Sequence, residues 1–234
     1  MTPTQTNSKR VLMIVTSNPK LGNTGRSTGL WMEELAAPFN LFEEAGFEVT
    51  IASPMGGAAP VDEASLAEGF VTPDVVRFRA NPVAAGRLAH TARLADMADT
   101  AGFDALFLVG GHGTMWDFVP NADLDRLLDD AGKRGAVVSA VCHGVAGLLG
   151  AAKARFIEGR RLTGFSNEEE AAVGLTEVVP FLLQARLAAQ GAMVETGPAF
   201  QPQVVVDGRL VTGQNPSSSR GVAQEVLRLL RNPT

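Results

Sequence analysis

Ala136-Val-Val-Ser-Ala-Val-Cys-His-Gly144 is the stretch that decides how this chain folds. Its first six residues are a short continuous apolar run rich in branched side chains, the pattern of a strand buried on both faces of a parallel sheet. A cysteine and a histidine end the run, and Gly144 opens a small-residue helical segment running to Ala152. Strand, sharp turn with a nucleophile, then helix is the layout of a nucleophile elbow, here with sulfur in place of oxygen. Such a turn presents the side chain, the helix start favours a thiolate, and the following backbone N–H can hold an oxyanion. The rival account of Cys142 is a buried cysteine acting as a small hydrophobe.

The same strand texture recurs outward from this point, in Val11-Leu-Met-Ile-Val15, Phe47-Glu-Val-Thr-Ile-Ala52, Ala105-Leu-Phe-Leu-Val109 and Val204-Val-Val206. Between and after these runs, apolar residues at three- and four-residue intervals predict helices over Leu30 to Ala45, Leu88 to Met97, Leu124 to Ala131, Phe181 to Ala189 and Val222 to Leu230. Strands alternating with helices imply a doubly wound, mainly parallel α/β sheet sandwiched between helices. Asp207-Gly208, set before Leu210-Val211, signals an antiparallel edge hairpin. No repeat or long linker divides the chain, so 1–234 is expected to form one domain, with 1–9 as a disordered tail.

Composition narrows the function classes. Of 234 residues, 45% are hydrophobic and 19% charged, as in ordinary globular proteins. The net charge of −5 comes with no basic stripe that could track a phosphate backbone, which argues against nucleic acid as a partner. One cysteine cannot form an intramolecular disulfide, which suits a reducing compartment. The run Val11 to Val15 is too short for a signal-peptide core, and no stretch approaches the roughly 18 apolar residues that span a bilayer. The expectation is a cytoplasmic protein with no membrane partner.

In a parallel sheet the ligand crevice lies beyond the carboxyl ends of the strands. Besides the elbow, Val109-Gly-Gly-His-Gly-Thr114 follows a strand, and its glycines let backbone N–H groups approach a ligand closely. Gly111 is the candidate second oxyanion donor, with Gly110 beside it. The spacing matches neither phosphate-binding glycine motif, which disfavours a nucleotide. The thiol needs a base among His90, His112 and His143. His90 falls in the Leu88 to Met97 helix as a surface histidine, and His112 is read as a backbone contributor. His143, next to the sulfur, is left, and its imidazole would want a carboxylate to fix its tautomer. Ser166-Asn-Glu-Glu-Glu170 offers three, which could equally be a solvated helix first turn, and the same ambiguity covers Glu33-Glu34. Trp116 and Asp117 follow the glycine turn and are candidates for the pocket mouth, against a core-packing and loop-cap account. Asn215-Pro216-Ser217 reads as the cap of the last helix. The histidines and the cysteine lack zinc-ligand spacing, so neither metal nor cofactor is expected, although a cluster could assemble in space.

Taken together, Thr16-Ser-Asn18, Gly29 to Phe39 with Glu34 and Pro38, Gly110-Gly-His-Gly-Thr-Met-Trp-Asp-Phe118, Ala140-Val-Cys-His-Gly144, Leu162-Thr-Gly-Phe165 with its acidic tail and Val211-Thr-Gly-Gln-Asn-Pro-Ser217 resemble the ThiJ/PfpI superfamily. This is the class I glutamine amidotransferase-like fold, and the likeness, from about Val11 to Ser219, is to its glyoxalase III-like branch, which includes heat-shock chaperones. The resemblance implies a flavodoxin-like sandwich, usually homodimeric. It makes Cys142 the nucleophile and His143 its partner, with an acid from 168–170 completing the triad: Glu170 by spacing, with Glu169 in reserve. It places Glu34 within reach of the thiol, to tune it and shuttle a proton. No histidine follows His143, so a glutaminase triad drawn from the carboxyl terminus is excluded. The implied activity is conversion of methylglyoxal or a related 2-oxoaldehyde to the 2-hydroxy acid, without glutathione or metal. The alternatives are a deglycase acting on glycated proteins, a cysteine peptidase or amidase, and, outside enzymes, a holding chaperone for unfolded proteins or a redox sensor.

Overall fold

The computed structural model describes residues 8–150 and 154–232. Along the chain run β1 (Arg10–Ile14), α1 (Met32–Glu44), β2 (Glu48–Ser53), α2 (Pro73–Ala80), α3 (Pro82–Ala89), β3 (Ala92–Arg93), β4 (Ala105–Leu108), α4 (Thr114–Asp117), α5 (Ala122–Lys133) and β5 (Val137–Val141). After the turn at Cys142 come α6 (Ala154–Ile157), β6 (Arg161–Leu162), α7 (Asn167–Ala172), α8 (Leu183–Ala189), β7 (Met193–Val194), β8 (Val204–Asp207), β9 (Leu210–Gly213) and α9 (Ser219–Arg231).

Seven strands form one sheet in the order β3-β2-β1-β4-β5-β9-β8. Every pairing is parallel except β8 with β9, the hairpin at the edge. This is the flavodoxin-like α/β fold expected of the sequence. Every residue of β4, β5 and β9 is buried, so both faces of these strands are covered, which is why their sequences are continuous apolar runs. α1 packs on α9 and α2, while α5 packs on β4 and β5. Phe39, Phe42, Phe78, Phe107 and Phe118 are fully buried between sheet and helices, with Phe39 edge-on to Phe78 and Phe42 edge-on to Phe107. Truncating such a phenylalanine typically costs about 3–5 kcal/mol.

Several local expectations need correction. The helix expected over Leu88 to Met97 ends at Ala89, and the chain then turns extended into β3 and a 3-10 turn at Leu94–Asp96. Thr91 draws it there: its hydroxyl pairs with Ser53 at 2.7 Å and donates to the Gly57 carbonyl, while its backbone N–H meets the same carbonyl at 2.9 Å. His90 is therefore an exposed helix cap, not a mid-helix residue. The edge turn is Gly208-Arg209, since Asp207 pairs directly with Leu210. The helical segment opened by Gly144 is a 3-10 helix, Cys142–Leu149, and the end of its expected course, 151–152, lies outside the described residues. Of the expected tail, 1–7 also lie outside them, but Ser8 and Lys9 are tied down by contacts to Gly46 and Asp104. No helix among the described residues is long and apolar enough to cross a membrane.

Candidate active site

The turn after β5 is the centre of the site. Cys142 takes φ 56°, a left-handed conformation that L-residues with a Cβ rarely adopt, and it is buried against the adjoining turn after β4. Glycine at 110 permits that approach: a Cβ there would stand 2.3 Å from Glu34 Oε2 and 2.5 Å from the Val141 carbonyl oxygen. Gly111, at φ 110°, passes just as close to Gly29 and Trp31 and lines the cavity above the sulfur. The first turn of α1 thereby brings Glu34 to the thiol from one side, and the first turn of α7 brings Glu170 to the imidazole from the other.

Cys142 Sγ lies 3.3 Å from His143 Nδ1, and His143 Nε2 lies 2.8 Å from Glu170 Oε2. His112 Nε2 reaches Glu170 Oε1 at 2.9 Å, so one carboxylate joins two imidazoles. Their rings lie 4.0 Å apart between centroids, and Phe165 also packs on His143, at 4.3 Å. Burial works to raise the Glu170 pKa, but hydrogen bonds and charge from the two imidazoles outweigh it and set it at about 2. Burial, with His112 adding to it, lowers His143 to about 4. At neutral pH, then, Glu170 is a carboxylate and His143 is neutral. The carboxylate can only accept, so it fixes the proton on Nε2 and leaves the Nδ1 lone pair facing the thiol.

Glu34 is wholly buried, and neither of its oxygens meets hydrogen-bond geometry, although the carboxyl lies against the thiol and the Gly110 backbone. Burial pushes Glu34 well above the usual carboxylate range. Burial and the neighbouring Glu34 push the Cys142 thiol up as well. The pair therefore keeps at least one proton between its members, which differs from the free thiolate expected at a helix start.

The three consecutive glutamates part company on α7. Ser166 caps the helix in a reciprocal capping box with Glu169, whose other oxygen accepts from the Phe200 backbone N–H and the Asn215 side chain, both at 2.8 Å. Glu169 is a loop anchor, Glu168 is exposed, and Glu170 alone meets the imidazoles. Asn215 makes no side-chain cap bond at the last helix and joins this network instead.

A cavity of about 360 Å³ opens onto Cys142, Glu34 and His143. Trp116 does not line it: its ring packs half-buried against the core beside Gly22. Asp117 is likewise engaged elsewhere, accepting from the Thr16 hydroxyl and the Ser17 N–H, and burial raises it to about 6. The walls are instead Trp31, Phe70, Phe165 and Phe200. The sequence reading missed these aromatics and the His112 side chain, since Phe70 and Phe200 sit in loops with no periodic signal. Among the described residues, His112, His143 and Glu170 form the group whose donor atoms, within 4.8 Å of one another, could hold a metal. In the structure those atoms are engaged with each other.

Residues 29–229 match the model of the DJ-1/PfpI family. A glutathione-independent glyoxalase of Saccharomyces cerevisiae is 31% identical over 96% of this chain and 99% of its own length. Glyoxalase 3 of Candida albicans is 30% identical over 93% of this chain and 97% of its own. Among solved structures, the Rapid Encystment Protein of 24 kDa from Francisella tularensis superposes with a TM-score of 0.89 at 36% identity, covering 96% of this chain and 100% of that one. The crystal structure of glyoxalase III from Candida albicans gives 0.85 at 29% identity, covering 94% and 96%.

Proposed function

The chain belongs to the DJ-1/PfpI family, and from that premise we propose that it is a glutathione-independent glyoxalase of the glyoxalase III type. It turns a 2-oxoaldehyde such as methylglyoxal into the 2-hydroxy acid, D-lactate in that case. The observation that carries this reading is a thiol held between two groups of different acidity: the neutral Nδ1 of His143 at 3.3 Å and the high-pKa carboxyl of Glu34.

His143 Nδ1 takes the thiol proton as sulfur adds to the aldehyde carbon, then returns it to the aldehyde oxygen, giving a hemithioacetal. The backbone N–H groups of Gly111 and His143 hold the oxygen while it carries charge. Glu34, as carboxylate, takes the proton from C1 and later delivers it to C2 through an enediol. The hydroxyl proton meanwhile passes from the first oxygen to the second by way of His143. The product is a thioester, and water activated by His143 cleaves it, restoring the thiol. One water is consumed and no electron leaves or enters the substrate. The protein thiol takes the place of a dissociable one, so glutathione is not required. Glu170 holds the His143 tautomer throughout and steadies its transient charge.

We also expect the enzyme to be a cytoplasmic homodimer; the single cysteine and the family resemblance support this. A glutathione-free, chelator-treated assay for D-lactate from methylglyoxal tests the function. Turnover should vanish in Cys142→Ala and Cys142→Ser, and full activity in either would rule the mechanism out. An amide or protein-adduct substrate turned over faster than any free aldehyde would favour the amidase or deglycase reading instead.

A further inference from the structure

The cavity is much larger than the substrate named above. Methylglyoxal has five heavy atoms and fills roughly the space of three waters, on the order of 90 Å³. The cavity of about 360 Å³ is near the size at which pockets enclose drug-like ligands. Its walls carry two aromatic pairs. Trp31 stands edge-on to Phe70, 5.2 Å between centroids, and Phe165 stands 6.4 Å from Phe200 at 62°. Among the described residues no lysine or arginine lines it, and the ionisable groups that do are Glu34, Cys142 and the two histidines. An aldehyde carrying a carboxylate or phosphate would find no counter-charge there, with Glu34 and Glu170 close by.

Phe200 makes this enclosure more than leftover space. Its backbone lies at φ 60°, left-handed for a residue with a large side chain, and the residue is 44% exposed. Two bonds fix it so: its N–H donates to Glu169 Oε1 at 2.8 Å, and its carbonyl accepts from the Ser217 hydroxyl at 3.1 Å. A strained, water-exposed phenylalanine, pinned by a buried carboxylate at the mouth of a cavity, calls for a functional account.

Resting on the glyoxalase reading, we propose that the four aromatic residues form a slot selecting uncharged 2-oxoaldehydes with a flat apolar substituent, phenylglyoxal being the simplest. Such a ring fits between Trp31–Phe70 and Phe165–Phe200 while its aldehyde carbon faces Cys142. Trp31, Phe70 and Phe200 set specificity, and Glu169 is a positioning residue acting through Phe200.

The test compares kcat/KM for phenylglyoxal and methylglyoxal in the wild type, Phe70→Ala and Phe200→Gly. The last removes the ring at a backbone angle glycine favours, so folding is preserved. Intrinsic aldehyde reactivity cancels when the same two substrates are compared between proteins. The phenylglyoxal-to-methylglyoxal ratio should fall roughly 5-fold to 10-fold in each variant. A ratio constant within about 2-fold, with methylglyoxal still turned over, overturns the slot and spares the glyoxalase reading. The unreactive acetophenone separates the two further by saturation-transfer NMR. If it binds the wild type and not Phe200→Gly while no aldehyde is turned over, the slot stands and the glyoxalase reading falls. If acetophenone does not bind at all, the slot is wrong.

Discussion

Glu34 and Glu170 are the same residue type, both buried, and both within one side chain of the Cys142–His143 pair. Yet Glu34 is driven up and Glu170 down to about 2. What separates them is the supply of N–H donors. Glu170 accepts from two imidazoles, and Glu34 meets neither of its oxygens' needs. Two carboxyls pushed apart in this way can hold different jobs in one reaction, a fixed charge and a movable proton. Burial by itself raises both; the imidazole partners reverse it only at Glu170.

The contrast breaks if replacing the two residues gives the same phenotype. Glu170→Gln should lower kcat/KM about 10³-fold to 10⁴-fold, the scale seen when an orienting carboxylate loses its charge. It should also destabilise the protein. A pKa of about 2 against 4.5 unfolded contributes on the order of 3 kcal/mol above pH 4.5, lost as pH falls from 4.5 toward 2. His143, lowered to about 4, adds to the same acid-side loss, since its stabilising neutral form disappears as pH falls from 6.5 to about 4. Thermal melts of wild type and variant between pH 3 and 8 check this: the gap should close on the acid side.

Glu34→Gln should lower kcat/KM less, about 10²-fold to 10³-fold, through the proton transfer between carbons. Its stability effect has the opposite sign. A raised pKa makes the folded state less favourable as pH climbs above 4.5, so the glutamine variant should melt about 3 °C or more above wild type at pH 7 and no higher at pH 4. A lower melting temperature at pH 7 would remove Glu34 from its role as a strained proton carrier. The smallest effect belongs to His112→Leu. Losing one of two donors should raise the Glu170 pKa and lower kcat/KM about 10-fold, with His112→Gln, which still offers an N–H, recovering most of it.

The sequence made the sheet legible because β1, β4 and β5 are buried on both faces and so read as unbroken apolar runs. The Leu88–Met97 stretch misled because its apolar spacing is helical, while two hydroxyls, Thr91 and Ser53, pair across the chain at a distance no local pattern reveals. Cys142 and His143 stood out as a lone cysteine and a neighbouring histidine after a strand. Glu170 is preferred to Glu169 only through the family resemblance, by its spacing from Thr163-Gly-Phe165; the physical reason is the capping box of Ser166, which engages Glu169 and leaves its neighbour, about 100° further round the helix, to the site. Trp116 stands in α4 after β4 and Trp31 at the N-cap of α1, and only the packing of Gly22 against one and of the cavity against the other tells them apart.

The six residues of α7 give two adjacent glutamates two unrelated masters. One reaches back into the triad and the other across to the loop that carries Phe200. Tilting this short helix by even a fraction of a turn would disturb charge and doorway at once, so neither can be retuned by evolution or by an engineer without answering to the other.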